Sequence, residues 1–188
     1  MAHPLHKLVG DYVTEYIKSR NLTHYKIIKD PACGTNVGNN RQNIPLFCSS
    51  KKSNKTEYCN VDVLILRDNK IYIIFEIEES TINPTRICGK FLTSALSTYV
   101  IHDMTSAEPI PMSSSVWFIQ IMNTSNLKTA TSKFVQWENI KTSISNIIPV
   151  KGSSIDRYEL IYGKVSDFNA TIKDKLVLCL DQAFSKGE

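Results

Sequence analysis

The chain has 188 residues, 42% of them hydrophobic and 21% charged, with a formal net charge of +4. That suffices for a single domain, residues 1–188, with its own core, and the mild positive balance is compatible with a polyanionic partner without demanding one. No apolar run reaches the roughly 20 residues that span a bilayer, and the start, MAHPLHKLVGDYV, lacks a signal-peptide core, so neither a membrane partner nor secretion is expected.

Leu5, Leu8, Val9, Tyr12, Val13, Tyr16 and Ile17 follow the one-face spacing of an amphipathic helix that ends near Arg20–Asn21. Residues 24–31, HYKIIKDP, predict a short strand stopped by Pro31. Residues 32–56 are rich in Gly, Asn, Ser and basic groups around the apolar island Ile44–Phe47. They predict a long functional loop with one short strand at 44–48, because long loops in compact domains usually bind something. Residues 57–80 predict a β-hairpin about the polar turn Arg67-Asp68-Asn69-Lys70.

After Pro84, the spacing of Ile87, Phe91, Ala95, Leu96 and Tyr99 predicts a helix over 85–101. Strands are expected at 115–123 and 157–165, and helices at 132–148 and 169–184. This order points to an α/β fold with a central mixed sheet flanked by helices.

The second hairpin strand, KIYIIFEIEES, runs from apolar residues straight into Glu76, Glu78 and Glu79. Buried carboxylates are costly unless something neutralises them. Strand alternation puts Glu76 and Glu78 on one face and Glu79 on the other. Asp62 interrupts the apolar strand across the turn and falls opposite residue 75 or 76, so one register brings it beside Glu76 and a one-residue slip turns it away. Three carboxylates on one face stay ionised together mainly around a cation. Oxygen ligands suit Mg²⁺, or Mn²⁺, better than Zn²⁺.

Asp62, thirteen intervening residues, then Glu76-Ile77-Glu78, with a helix before and after, resembles the PD-(D/E)xK nuclease superfamily over roughly residues 5–123. The resemblance implies a restriction-endonuclease-like core and a Mg²⁺-dependent endonuclease of the type II restriction kind. It would act on double-stranded DNA as a homodimer, with no organic cofactor. It also implies that Asp62 and Glu76 are metal ligands, with the Ile77 carbonyl a third. Val61 stands where the motif has Pro, and Glu78 stands where most members carry the lysine. Some restriction enzymes carry Glu there to position or activate the attacking water. Arg86 and Lys90 of the next helix are substitute cations, though the helical period places both largely opposite the apolar stripe. Members often add a first-helix Glu; Glu15 is the candidate, with Asp11 the alternative and a solvated helix face the plain reading. The catalytic set is therefore Asp62, Glu76, Glu78 and Glu15.

Asn, Gln and Arg make paired contacts with base edges, and Lys neutralises phosphates. Asn40, Arg41, Gln42, Lys51 and Lys52 are accordingly the candidate DNA contacts, the alternative being a merely solvated loop. PACGTNVGNN is similar to the Gly-rich stretch of junction resolvases, which makes a structure-specific nuclease the alternative enzyme; a non-catalytic nucleic-acid-binding protein is the alternative outside enzymes. His3, His6, His24 and His102 show no paired metal spacing, and Trp117 and Phe118 are expected in the core. Five cysteines without a CxxC argue against disulfides or zinc and for a reducing, cytoplasmic setting.

Overall fold

A computed structural model of the chain describes residues 3–36, 41–80, 82–127 and 132–185. Helix α1, Pro4–Ser19, begins with Pro at its first turn, where a missing N–H costs nothing, and gives way to Asn21 at φ 52°, a conformation Asn tolerates. Strand β1, Tyr25–Lys29, follows. β2, Ile44–Phe47, is the short strand expected within the loop, and it pairs with β3, Glu57–Val61, which takes the start of the run expected as one hairpin strand. β4, Val63–Arg67, and β5, Lys70–Glu78, form the expected second hairpin, and Asp68 and Asn69 take the positive φ values of a tight two-residue turn.

Helix α2, Pro84–Ala95, is capped by Asn83, whose side chain accepts from the Arg86 N–H at 2.8 Å. It stops short of the expected 101: Tyr99–Ile101 form β6 instead. β7, Pro109–Asn123, starts earlier than expected and is followed by α3, Lys133–Ile147, β8, Ile155–Gly163, and α4, Lys173–Ser185.

The sheet orders β1-β4-β5-β7-β8, with β1, β4 and β5 antiparallel in turn and β5, β7 and β8 parallel. The first residues of β7 also pair with β6, which leads through β2 to β3 in an antiparallel extension. The fold is α/β, a mixed central sheet flanked by helices. Leu5, Val9 and Val13 of α1 and Leu176, Leu180 and Ala183 of α4 pack with Ile73 and Phe75 on one face. Ile87 and Phe91 of α2 and Trp137 and Ile144 of α3 pack with Ile74 and Phe118 on the other. Trp117 and Phe118 are core residues as expected. No helix among the described residues is long and apolar enough to cross a membrane.

Candidate active site

Central position explains why β5 is apolar: residues 71–78 are buried throughout, as befits a strand covered on both faces. Glu76 and Glu78, at its carboxyl end, are 3% and 1% exposed, so the strand does not run out into solvent before its acids begin.

The register of the β4–β5 hairpin decides whether Asp62 joins them. Arg67 pairs with Lys70 and Leu66 with Ile71, but Ile65 pairs with Ile73 and Val63 with Phe75. Tyr72 is the extra residue of a bulge. It offsets the pairing by one residue as far as Val63 and Phe75, where the regular ladder ends, and Asp62 lies just beyond, at the break between β3 and β4. The Asp62 N–H donates to the Phe75 carbonyl at 3.1 Å, and Asp62 Oδ2 accepts from the Ile77 N–H at 2.6 Å. N–H and C=O of one strand residue point to the same edge, so the Ile77 carbonyl turns toward Asp62 as well.

Two cations from α2 close over the acids. Lys90 Nζ lies 2.5 Å from Glu76 Oε1, and Arg86 Nε lies 2.7 Å from Glu78 Oε2. The helical period had set both cations away from the apolar stripe. Their long side chains nonetheless reach past the α2 flank to the strand end. Glu76 Oε2 and Glu78 Oε1 accept no hydrogen bond from any described residue, although both are buried. Burial, and then the Asp62 charge, push the Glu76 carboxyl above its ordinary range against the pull of Lys90. Burial also pushes Glu78 up, opposed by Arg86. Burial alone would lower the Lys90 ammonium, but the Glu76 carboxylate outweighs it and raises it.

These groups line a cleft of about 550 Å³ with Asn123, the last residue of β7, and Ser125 and Asn126 beyond it. Its place beyond the carboxyl ends of parallel strands is where open α/β sheets bind ligands.

The α1 residues that line the cleft are Pro4 and His6, not Glu15. Glu15 is exposed and outside the cleft lining, and Asp11 is exposed and paired with Lys7. His6 is 8% exposed; its Nδ1 is 2.9 Å from Glu79 Oε1 and its Nε2 is 3.5 Å from Asp62 Oδ1. Burial lowers the imidazole pKa, but the Asp62 hydrogen bond and charge, and then those of Glu79, outweigh it and raise the group to about 9. Glu79 faces away from Glu76 and Glu78, as alternation requires, and is engaged by the His6 backbone N–H as well as its ring.

Among the candidate DNA contacts, Asn40 lies outside the described residues. Arg41 is exposed. Gln42 is spent internally: its Oε1 accepts from the Asp103 N–H at 2.9 Å. Lys51 and Lys52 are exposed in the β2–β3 connection, at the opposite end of β3 from Asp62. Neither lysine lines the cleft.

No family model, curated protein or solved structure matches the chain.

Proposed function

We propose that the protein is a metal-dependent phosphodiesterase that cuts double-stranded DNA, a type II restriction-like endonuclease built on a PD-(D/E)xK core. The observation that carries this reading is a pair of buried, unsatisfied carboxylate oxygens, on Glu76 and Glu78, sharing a cleft with Asp62 and a lysine. A helix before them, α1, and a helix after them, α2, support the resemblance.

Asp62, Glu76 and the Ile77 carbonyl would hold the ion, and orphaned buried oxygens beside a carboxylate fit that demand. Mg²⁺ (or Mn²⁺), when bound, supplies charge stabilisation at a phosphoryl oxygen and a more acidic water. Glu78, with its proton affinity raised by burial, accepts a proton from the attacking water, and Arg86 holds its other oxygen in place. Lys90 orients Glu76 and brings to the cleft the positive charge that the motif's strand position lacks. Asn123, Ser125 and Asn126 offer hydrogen bonds to the sugar-phosphate chain. Cutting both strands calls for two copies of the chain arranged on a two-fold axis.

Purified protein with Mg²⁺ or Mn²⁺ should cut plasmid DNA into discrete fragments, and Asp62→Ala or Glu76→Ala should slow cleavage roughly hundredfold or more. Cleavage confined to branched DNA would assign a junction resolvase instead. The Lys90 and Arg86 ion pairs favour a second reading, a non-catalytic nucleic-acid-binding protein in which they simply neutralise buried acids. Metal-independent DNA binding with no cleavage of any duplex or branched substrate would establish it.

A further inference from the structure

We propose that His3, His6 and Glu79 form a site for a Zn²⁺-class ion, separate from the Asp62–Glu76 carboxylates. Among the described residues they are the one group of three potential ligands, one atom from each, that falls within 4.8 Å of one another; Asp62, Glu76 and Glu78 do not gather so closely.

The three come together because α1 starts beside the end of β5. His3 holds the N-cap position of α1 and His6 lies in its first turn, so both rings stand over the same spot, 5.1 Å apart and edge to face. Glu79 follows the last residue of β5 and projects to the α1 side. His6 Nδ1 is already 2.9 Å from Glu79 Oε1. His3 is exposed, so its ring can turn toward them without displacing core atoms.

The donor set selects the ion. Two imidazoles and one carboxylate suit Zn²⁺, and Co²⁺ or Ni²⁺ after it; Mg²⁺ prefers oxygen and retains water. An ion at His6 Nδ1 would take the place of the proton that the ring shares with Glu79. With Nδ1 on the ion, Nε2–H faces Asp62 Oδ1 at 3.5 Å, and a carboxylate behind a ligating imidazole fixes the ring and its tautomer. Asp62 is itself held by the Ile77 N–H at 2.6 Å. Three protein ligands leave a tetrahedral ion one open position, and all three line the same cleft as Glu76 and Glu78. Water or a phosphate-class oxygen would fill it. The site stands whether or not the chain is a nuclease.

The test titrates metal-free, untagged full-length protein with Co²⁺, follows the visible absorption of the bound ion, and then competes it with Zn²⁺ or Mg²⁺. The expected result is one Co²⁺ with nitrogen ligation, displaced by Zn²⁺ but not by excess Mg²⁺. His3→Ala and Glu79→Gln should each weaken binding by roughly tenfold or more, while Glu76→Gln leaves it within about twofold. Because His3 is exposed, His3→Ala should keep the metal-free melting temperature of the parent. Failure to bind Co²⁺, displacement by Mg²⁺, or equal binding by His3→Ala would overturn the proposal. Loss of DNA cleavage with this signature intact would instead count against the nuclease reading alone.

Discussion

Lys90 Nζ reaches from the middle of α2 to within 2.5 Å of Glu76 Oε1 at the end of β5, so the most buried acids of the sheet are answered by a neighbouring helix. Removing one partner of such a pair leaves an uncompensated buried charge, which costs about 3–5 kcal/mol, whereas removing both costs far less. Lys90→Met should therefore destabilise the protein by about 3 kcal/mol near neutral pH, and Lys90→Met with Glu76→Gln should recover most of it. Urea unfolding of the four proteins reads the coupling. Additive losses would mean the pair is not formed in solution. Cleavage should fall in both single variants.

Asp62 has two duties that separate by substitution. Its carboxylate accepts the Ile77 N–H, and it would also hold the metal. Asp62→Asn keeps an acceptor for the amide, whereas Asp62→Ala strands it at a cost of about 1–3 kcal/mol. Both should lose cleavage, but only Asp62→Ala should lose that stability as well. Equal melting temperatures for the two would show that the Ile77 contact carries no weight.

Gly10 is where α1 touches the turn after β1. A Cβ there would sit 2.0 Å from the Cys33 carbonyl oxygen, a clash with backbone that cannot swing aside. Alanine ordinarily gains about 1 kcal/mol over glycine inside a helix, but overpacking costs about 1–3 kcal/mol and should win. Gly10→Ala should thus lower stability and, by shifting the helix that carries His6, disturb the cleft. A Gly10→Ala protein as stable as its parent would contradict the contact.

His102 is fully buried, its Nδ1 accepts from the Met104 N–H at 3.1 Å, and its Nε2 faces the Gln42 carbonyl at 3.3 Å. That arrangement requires the neutral ring, and burial holds its pKa below the usual 6.5 against opposing contributions from Gln42 and Asp103. A lowered histidine contributes stability that is complete above the unfolded pKa and is lost as pH falls below it, because the unfolded chain takes up the proton first. His102→Gln should cost stability at about pH 7.5, and its deficit against the parent should shrink toward about pH 5. A deficit independent of pH would rule out the neutral buried ring.

The sequence made the helices α1 and α3, the acidic end of β5 and the faces of Glu76, Glu78 and Glu79 legible, because periodicity is a local property. What it left open depended on contacts far along the chain. Tyr99 prolongs the apolar spacing of α2, yet pairs with Pro111 and Phe47 in a sheet. The run that reads as one hairpin strand breaks at Asp62 into β3 and β4, which pair with different strands, and Gln42 of the expected binding loop is consumed in fastening the turn at Asp103. Arg86 and Lys90 lie off the apolar stripe of α2, as the helical period has it, yet reach the acids, because a wheel describes directions near the backbone and not the reach of long side chains. His6 gave no signal in the sequence, since its partners lie far along the chain at Asp62 and Glu79.

The bulge at Tyr72 ties these strands to a distant event. Tyr72 O–H donates to the carbonyl of Ala183 in α4, 111 residues further on, and its ring packs near Phe184. Between the Asp68–Asn69 turn and the Val63–Phe75 pair, the bulge shifts the pairing of the two strands by one residue. The residue that offsets the hairpin is thus also the one that fastens it to the last helix, so one side chain joins the strand that carries Glu76 and Glu78 to the far end of the chain.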